Sequence, residues 1–228
     1  MDKGIVRIPM RFIIALLLIL FFSGCSLFGK GEKPEKPPEE LMSEGMSQFA
    51  DGNYTKAAEY FQELKDRYPY SKLAIHAELK LADALFKKKE FEEAVEAYKE
   101  FENLHPKNIS IPYVIYQQGM CYFLRMRTID RDQSNTKRAM EEFERLKRAY
   151  PADPYSEKAR INIEKCLASL AEHEFYVGRF YFKKGHYVAA LKRFEYLITQ
   201  YPDYGPHEKA RIYIARCKEK LAKEESPQ

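Results

Sequence analysis

Apolar residues between positions 39 and 223 recur three and four positions apart, the spacing that is typical of amphipathic α-helices. Four of these helical segments end in the same way, at Pro69, Pro106, Pro151 and Pro202. Twelve residues before each proline stands an alanine, and eight residues before it stands an aromatic residue. The pairs are Ala57 and Phe61, Ala94 and Tyr98, Ala139 and Phe143, and Ala190 and Phe194. The chain is therefore built from one repeated helical motif.

Each repeat also has a small residue earlier in its first helix, at Gly45, Ala82, Gly119 or Gly178. A small residue there lets the two helices of a repeat approach closely, and we expect the aromatic residue to fill the gap between successive repeats. Proline ends the second helix because it cannot continue one and disfavours the helical conformation of the preceding residue. This is the tetratricopeptide (TPR) pattern. We predict an all-α fold, a right-handed TPR α-solenoid of about four helix pairs with a C-terminal capping helix.

The repeats are unequally spaced, since successive prolines are 37, 45 and 51 residues apart. The additional residues of the second interval predict a polar loop inserted at 126–136, between the two helices of the third repeat. The additional residues of the third interval precede Gly178, the only helix breaker between Tyr155 and Lys184. They predict one long helix or two helices joined end to end. The last segment, His207–Lys223, is predicted to be the capping helix.

The first 24 residues have the features of a secretion signal. Three basic residues precede an unbroken apolar run of eleven residues, Phe12–Phe22, which is shorter than a membrane-spanning helix. Small residues and Cys25 follow, as a lipoprotein signal peptidase requires. We predict removal of residues 1–24 and lipidation of Cys25. The alternative is an ordinary secretion signal that happens to precede a cysteine.

Residues 25–38 are rich in Pro, Gly, Lys and Glu, which predicts a lipid-anchored flexible tether. The residue after Cys25 is Ser26 and not the Asp of an inner-membrane retention signal, which favours the outer membrane. The expected segments are the signal peptide 1–24, the tether 25–38, repeats one and two in 39–110, repeats three and four with the cap in 111–223, and a polar tail at 224–228.

Composition excludes several classes of protein. Of the 228 residues 45% are apolar, too many for a disordered chain. The formal charge of +4 falls to +2 without the signal peptide, which itself carries +2, so we expect no nucleic-acid partner. Cys121, Cys166 and Cys217 form no CxxC pair and lie in helical patterns, so we expect small buried core residues. The alternative is that two of these three cysteines form a disulfide and the third is a free thiol.

Catalytic chemistry has little support in the sequence. The five histidines share no ligand spacing, and HExxH, GxSxG and P-loop motifs are absent. We therefore expect no catalytic residues, no metal and no cofactor other than the covalent lipid on Cys25.

A first candidate site lies on the first helices of repeats one to three. In a TPR solenoid, positions 2, 5, 9 and 12 of these helices line the concave face, and here they are mostly apolar or aromatic. Exposed apolar patches mark binding surfaces. We predict a groove for an extended peptide that ends in an aromatic residue and a carboxylate, with Lys87, Lys88 and Lys89 as its positive end. The alternative is that these side chains form a mutual core. The groove residues are Met42, Met46, Phe49, Leu79, Asp83, Phe86, Tyr113, Tyr116, Met120 and Phe123.

Two further candidates carry charge. Basic residues near the fourth repeat predict a patch that pairs with an acidic partner, and an ordinary solvated face is the alternative. The inserted loop is predicted either to contact a partner or to form a local salt-bridged loop. The basic patch consists of Arg179, Lys183, Lys184, Lys192 and Arg193, and the loop residues are Asp130, Arg131 and Asp132.

Three segments carry a resemblance to a known family: Ile111–Gly119 (IPYVIYQQG), Asp130–Ala139 (DRDQSNTKRA) and Glu174–Asp203. With the signal, the tether and the unequal repeat spacing, they resemble the BamD family of lipoproteins in the outer-membrane β-barrel assembly machinery, over about residues 39–222. The chain departs from the family at Phe22, where leucine is commonest, and in the lack of a long C-terminal extension. That lack puts the contacts of such a tail in doubt.

The resemblance implies that the C-terminal repeats bind the POTRA region of a BamA-like barrel protein and that other lipoproteins join the complex. It also implies that the N-terminal repeats bind C-terminal segments of unfolded outer-membrane proteins. We therefore expect a scaffold on the periplasmic face of the outer membrane, held there by its lipid alone. The alternative is a different TPR lipoprotein, such as a pilotin for secretin assembly. A peptidoglycan hydrolase would need a catalytic domain, for which no non-repeat segment is large enough.

Overall fold

The computed structural model describes residues 35–225, and this range folds into helices joined by short connections. The predicted signal peptide and Cys25 lie outside the described residues. The helices are α1 (Pro38–Ala50), α2 (Tyr54–Arg67), α3 (Ala74–Lys87), α4 (Phe91–Leu104), α5 (Ile111–Phe123), α6 (Ser134–Ala149), α7 (Pro154–Lys183), α8 (Tyr187–Gln200) and α9 (His207–Glu225). Each helix packs against the next along the chain, α5 also packs against α7, and α7 also contacts α9. The predicted all-α TPR solenoid is confirmed.

Each second helix ends just before its proline, as predicted. The preceding residues Tyr68, His105, Tyr150 and Tyr201 have φ angles of −127°, −128°, −136° and −128° and ψ angles between 52° and 61°. These angles lie outside the helical region, which the proline ring disfavours for its predecessor. The proline therefore determines where α2, α4, α6 and α8 stop.

The recurring spacing of glycine and phenylalanine within the repeats has a direct physical cause. A Cβ atom added to Gly45, Gly119 or Gly178 would lie 2.6, 2.5 or 2.6 Å from a ring carbon of Phe61, Phe143 or Phe194. Each ring is fully buried against the glycine of its own repeat. The expectation that these rings fill the gaps between successive repeats did not include this contact within the repeat. Phe194 does both, since it also stacks on Tyr213 of α9 at 5.1 Å.

Helix α7 is one continuous helix of 30 residues, the first of the two predicted alternatives. Asp153 caps it by accepting a hydrogen bond from the Tyr155 amide at 2.8 Å, and Pro154 stands in its first turn. Its first half contributes Ala159, Ile163 and Cys166 to the large central core, and its second half contributes Phe175 to the C-terminal core. A single helix therefore joins the third repeat to the fourth.

The inserted loop occupies 124–133 and not 126–136 as predicted, because α5 ends at Phe123 and α6 begins at Ser134. Helix α6 begins earlier than predicted. Asp132 stabilises its first turn by accepting hydrogen bonds from the amide and the hydroxyl of Ser134, both at 3.0 Å. The capping helix is found, and it extends to Glu225.

The thiols of Cys121, Cys166 and Cys217 are buried and unpaired, so the predicted core role is confirmed. Burial raises the pKa of the Cys121 and Cys166 thiols to about 12, which keeps them protonated. Between residues 35 and 225, no helix combines the length and the apolar character needed to cross a membrane.

Candidate binding surfaces

The ten predicted groove residues lie on the odd-numbered helices α1, α3 and α5, which are the first helices of repeats one to three. Met46 is 41% exposed, and Asp83 is buried at 6%. The other eight side chains are half-buried against the two larger cores. The face is therefore apolar and partly open to solvent. It is neither a fully open groove nor a closed mutual core, the two predicted alternatives. The groove stays a prediction.

Side chains from consecutive odd-numbered helices contact one another across this face. The Lys80 ammonium on α3 lies 5.4 Å from the ring centroid of Phe49 on α1. Tyr113 on α5 reaches back to α3, where its hydroxyl donates to Asp83 Oδ1 at 2.6 Å. Tyr155 of α7 continues the series.

The rings of Tyr113 and Tyr116 lie 5.4 and 5.2 Å from the Tyr155 ring, centroid to centroid. Contacts therefore run without interruption from α1 to α7. We call this set the A-helix row; it consists of Phe49, Lys80, Asp83, Tyr113, Tyr116 and Tyr155.

Asp83 is the centre of a hydrogen-bond network at the base of the row. Its carboxylate accepts hydrogen bonds from Tyr98 Oη at 2.8 Å, Tyr113 Oη at 2.6 Å and Lys80 Nζ at 2.9 Å. Burial, and then the nearby Asp83 charge, raise the pKa of both tyrosines, so both hydroxyls keep their protons and donate. Asp83 was predicted to face the groove, but here it joins α3, α4 and α5.

The predicted positive end of the groove has a different arrangement from the one expected. Lys88 Nζ forms an ion pair with Glu90 at 2.7 Å, and Lys89 has a φ of 65° in the turn before α4. Lys87 is exposed. The cation within the A-helix row is Lys80, which was not predicted because it does not stand at a concave-face position of the TPR pattern. Helical spacing could have found it, since Lys80 follows His76 by four residues and precedes Asp83 by three.

All five residues of the basic patch are exposed, at the end of α7 and on α8. Arg193 Nη1 is held by Glu174 Oε2 at 3.0 Å, and the Arg179 guanidinium lies 5.8 Å from the ring centroid of Phe175. Among the described residues, Lys183, Lys184 and Lys192 have no carboxylate partner. The charge of these three lysines is therefore available to a partner.

Exposed apolar residues flank Lys192 on α8, and this feature was not predicted from the sequence. Val188 and Tyr196 stand four residues before and after it on α8 and are about half exposed. Beside them lies a surface cavity of about 610 Å³ whose lining includes Tyr187, Val188, Lys192 and Leu221. Leu221 is distant in the sequence, so only the packing of α9 on α8 reveals the cavity.

The inserted loop is held firmly against α7. His173 Nδ1 donates to the Ile129 carbonyl at 2.6 Å, and Gln133 Nε2 donates to the carbonyls of Thr128 and Arg131 at 3.0 Å. These bonds fix the loop backbone, so the loop presents its side chains from a defined position.

The three predicted loop residues are exposed. Arg131 pairs with Asp130 at 3.6 Å, which is the predicted local salt bridge. The pKa of Asp130 is lowered by a hydrogen bond from the Thr128 side chain, and that of Asp132 by the Ser134 amide. Both remain carboxylates, and a contact role for the loop stays a prediction. Within residues 35–225, no cluster of His, Cys, Asp and Glu side chains could hold a metal ion.

Comparisons with known proteins give the family of the chain. A family model described as "YfiO: Outer membrane lipoprotein" matches residues 34–228. The "Outer membrane protein assembly factor BamD" of Rickettsia prowazekii is 33% identical over 192 residues, which cover 84% of this chain and 76% of that protein. The protein of the same name from Caulobacter vibrioides is 32% identical over 198 residues, which cover 85% of this chain. The chain spans only 64% of the length of that relative.

Solved structures with detectable similarity include a tetratricopeptide repeat protein from Parabacteroides merdae, at 15% identity and a TM-score of 0.43, covering 82% of this chain and 74% of that one. The TPR2AB domain of yeast Sti1 in a pHSP90 complex is 16% identical with a TM-score of 0.47, covering 81% of this chain and 70% of that one.

Proposed function

This chain belongs to the YfiO family of outer membrane lipoproteins, and on that premise we propose that it is a non-catalytic assembly factor for outer-membrane β-barrel proteins. In this role it binds other proteins and performs no reaction on them. Its relatives are named as assembly factors, and helical repeats that stack into a solenoid present extended surfaces for such binding.

We propose that the protein is attached to the periplasmic face of the outer membrane through lipid on Cys25. The signal and tether residues of the sequence support this anchor, since two or more acyl chains hold a protein stably at a bilayer. The tether would let the repeats stand clear of the lipid headgroups.

The substrate surface in this proposal is the A-helix row with the neighbouring groove residues. The observation that carries it is the continuity of side-chain contacts along the row from α1 to α7, with partly exposed aromatic rings on α1, α5 and α7. An extended C-terminal segment of an unfolded barrel protein alternates aromatic and polar residues, so its aromatic side chains would pack along this row while its polar side chains face water.

Alanine at Met46 or Tyr116 is expected to weaken binding of an aromatic-ended barrel peptide by about tenfold or more, since few residues carry most of the energy of an interface. Met46 is already exposed, so its removal does not disturb the fold. Fluorescence anisotropy with a labelled peptide measures the effect.

The matched control for this binding experiment is Tyr70→Ala, which removes a fully exposed tyrosine outside the row. It should bind as the wild type does. Unchanged affinity in both Met46→Ala and Tyr116→Ala, with intact helicity, would exclude the row as the peptide site.

The partner surface in this proposal is the basic patch, which would bind an acidic face of the POTRA region of a BamA-like protein. Lys183, Lys184 and Lys192 support it because they lack carboxylate partners among the described residues. Val188 and Tyr196 add an apolar component beside the charges, as interfaces with buried anchors require.

Lys192→Glu is expected to reduce co-purification of the barrel partner several-fold, because it reverses an exposed charge of the patch that has no carboxylate partner among the described residues. Arg193→Glu is a poorer test, since it would place a carboxylate against Glu174 and disturb the fold. Capture by the tagged, detergent-solubilised protein, followed by quantification of the partner, gives the measurement.

Lys56→Glu on α2 is the matched control for this charge reversal, since Lys56 is equally exposed but lies in the first repeat. Normal capture by Lys192→Glu would reject the patch. Recovery of a secretin in place of a POTRA-bearing barrel would reject the proposed function and favour a pilotin.

A further inference from the structure

The first two repeats expose large apolar side chains near the connections that follow their second helices. Tyr70, between α2 and α3, is 100% exposed, and Ile109, between α4 and α5, is 95% exposed. Leu104, the last residue of α4, is 57% exposed. Single exposed apolar residues are common, whereas a group of them on one surface marks a binding site.

The two connections lie side by side on one edge of the solenoid. Lys65, near the end of α2, pairs with Glu100, near the end of α4, at 2.9 Å between Nζ and Oε2. His105, in the second connection, lies 2.7 Å from Glu78 of α3, Nε2 to Oε2, and α3 begins at the first connection. The exposed apolar residues therefore form a group along a single edge.

Helix α1 begins at the same edge. α1 and α2 pack against each other and are joined by residues 51–53 alone, so they form an antiparallel helical hairpin. Leu41 in the first turn of α1 and Leu64 in the last turn of α2 belong to one buried cluster. The chain therefore enters its folded part at this edge, and the proposed lipid attachment site, Cys25, precedes that point in the sequence.

A lysine accompanies the exposed apolar residue in each connection. Lys72 follows Tyr70 by two residues, and Lys107 precedes Ile109 by two. Both lysines are exposed, and neither has a carboxylate partner among the described residues. Each connection therefore presents an apolar side chain together with an available positive charge.

The surroundings limit the binding surface to these two connections. On the opposite edge of the same repeats, the connections 51–53 and 88–90 contain only glycine and polar residues. On the near edge, Glu39 of α1 and Asp66 of α2 are exposed carboxylates, which repel anionic groups. A partner of this edge therefore contacts the connections and not the helices behind them.

We propose that this edge contacts the lipid headgroups of the outer membrane. Tyr70 and Ile109 insert at headgroup level, and Lys72 and Lys107 bind anionic lipids. A bilayer accepts protruding side chains without a complementary pocket, and its interface favours tyrosine and, where anionic lipids are present, lysine.

This inference rests on the proposed attachment through Cys25 and adds an orientation to it. Residues 26–37 can extend to about 40 Å, so the lipid alone does not determine which edge of the solenoid faces the membrane. The second contact would hold one set of helix ends at the bilayer. It would leave the sides of the helices, which carry the A-helix row, open to the periplasm.

Tyr70→Trp tests the contact directly, because the chain contains no other tryptophan. The full-length lipidated variant is reconstituted on vesicles of phosphatidylethanolamine and phosphatidylglycerol with brominated acyl chains. We expect blue-shifted emission and a clear loss of fluorescence relative to unbrominated vesicles, since a side chain inserted at the interface lies next to the acyl chains. Lys87→Trp is the matched control and should not be quenched, since Lys87 is exposed at the end of α3 on the opposite edge.

Reversal of both lysine charges isolates the electrostatic contribution. In the Tyr70→Trp background, Lys72→Glu combined with Lys107→Glu should lose most of the quenching on these vesicles, because the new carboxylates are repelled by phosphatidylglycerol. Lys56→Glu in the same background should keep it, since Lys56 is exposed at the start of α2, away from this edge. Full quenching in the double charge reversal would overturn the assignment of the lysines to anionic lipids.

Flotation of the vesicles measures attachment separately from the contact. A protein that floats but is quenched equally at positions 70 and 87, or at neither, would overturn this inference and leave the proposed anchor standing. A protein that does not float would overturn both. Absence of quenching, together with reduced co-purification of the barrel partner by Tyr70→Asp, would assign the edge to a protein contact and also overturn the inference. Helical circular dichroism confirms that each variant is folded.

Discussion

Replacement of Phe143 by alanine is expected to lower the free energy of unfolding by about 3–5 kcal/mol. The Phe143 ring is fully buried in the central core. It contacts Tyr116 and Phe123 at centroid distances of 5.7 and 6.1 Å, and it packs against Gly119. Its loss leaves a cavity that neighbouring helices cannot close, because Gly119 has no side chain to fill it. Urea unfolding followed by helical circular dichroism measures the change.

Tyr70→Ala serves again as the control for stability, because a fully exposed side chain changes it by no more than about 0.5 kcal/mol. If Phe143→Ala lowered the free energy of unfolding as little as Tyr70→Ala does, the prediction would be contradicted. Since repeat arrays can unfold in parts, tyrosine fluorescence should be recorded in parallel and its transition compared with that of the helical signal.

Asp83→Ala is expected to destabilise the protein by about 3 kcal/mol, because it leaves the hydroxyls of Tyr98 and Tyr113 without their acceptor. Tyr98 is fully buried, so its hydroxyl has no access to water as a substitute. The substitution also removes the side-chain hydrogen bonds that link α3 to α4 and α5. The same urea unfolding measurement applies.

Two variants isolate the cause of the Asp83 effect. Asp83→Asn retains an oxygen that accepts hydrogen bonds from the tyrosines. It should therefore lower the free energy of unfolding clearly less than Asp83→Ala does. Lys80→Met removes one donor to Asp83 and leaves both tyrosine hydroxyls bound to the carboxylate, so it should lower the free energy of unfolding clearly less than Asp83→Ala. If Lys80→Met and Asp83→Ala destabilised equally, the ion pair and not the tyrosine network would be the stabilising element.

Much of the fold follows from local features of the sequence. The prolines predicted where α2, α4, α6 and α8 end, because their steric effect acts on the adjacent residue. The absence of breakers before Gly178 predicted one long helix or two helices joined end to end, and the structure has the single helix α7. The start of α6 was placed too late because Asp132 forms hydrogen bonds that periodicity does not report.

The candidate surfaces were less predictable, since they depend on residues far apart in the sequence. Helix positions placed Tyr113 and Tyr116 on one face of their helix, and the structure adds that both rings contact Tyr155. Composition indicated a basic patch, but the pairing of Arg193 with Glu174 depends on how α8 packs against α7. The loop residues were identified, whereas their anchoring through His173 was not.

The sequence by itself determined the repeat, the helix ends and the faces of the helices, because these depend on periodicity and on the conformational limits of proline and glycine. Only the tertiary structure decided which polar groups on those faces are already bound. It buried Asp83 between two tyrosines and left Lys80 accessible on the row. The reason is that hydrogen bonds and burial arise from the approach of different helices, and spacing along one helix carries no information about that approach.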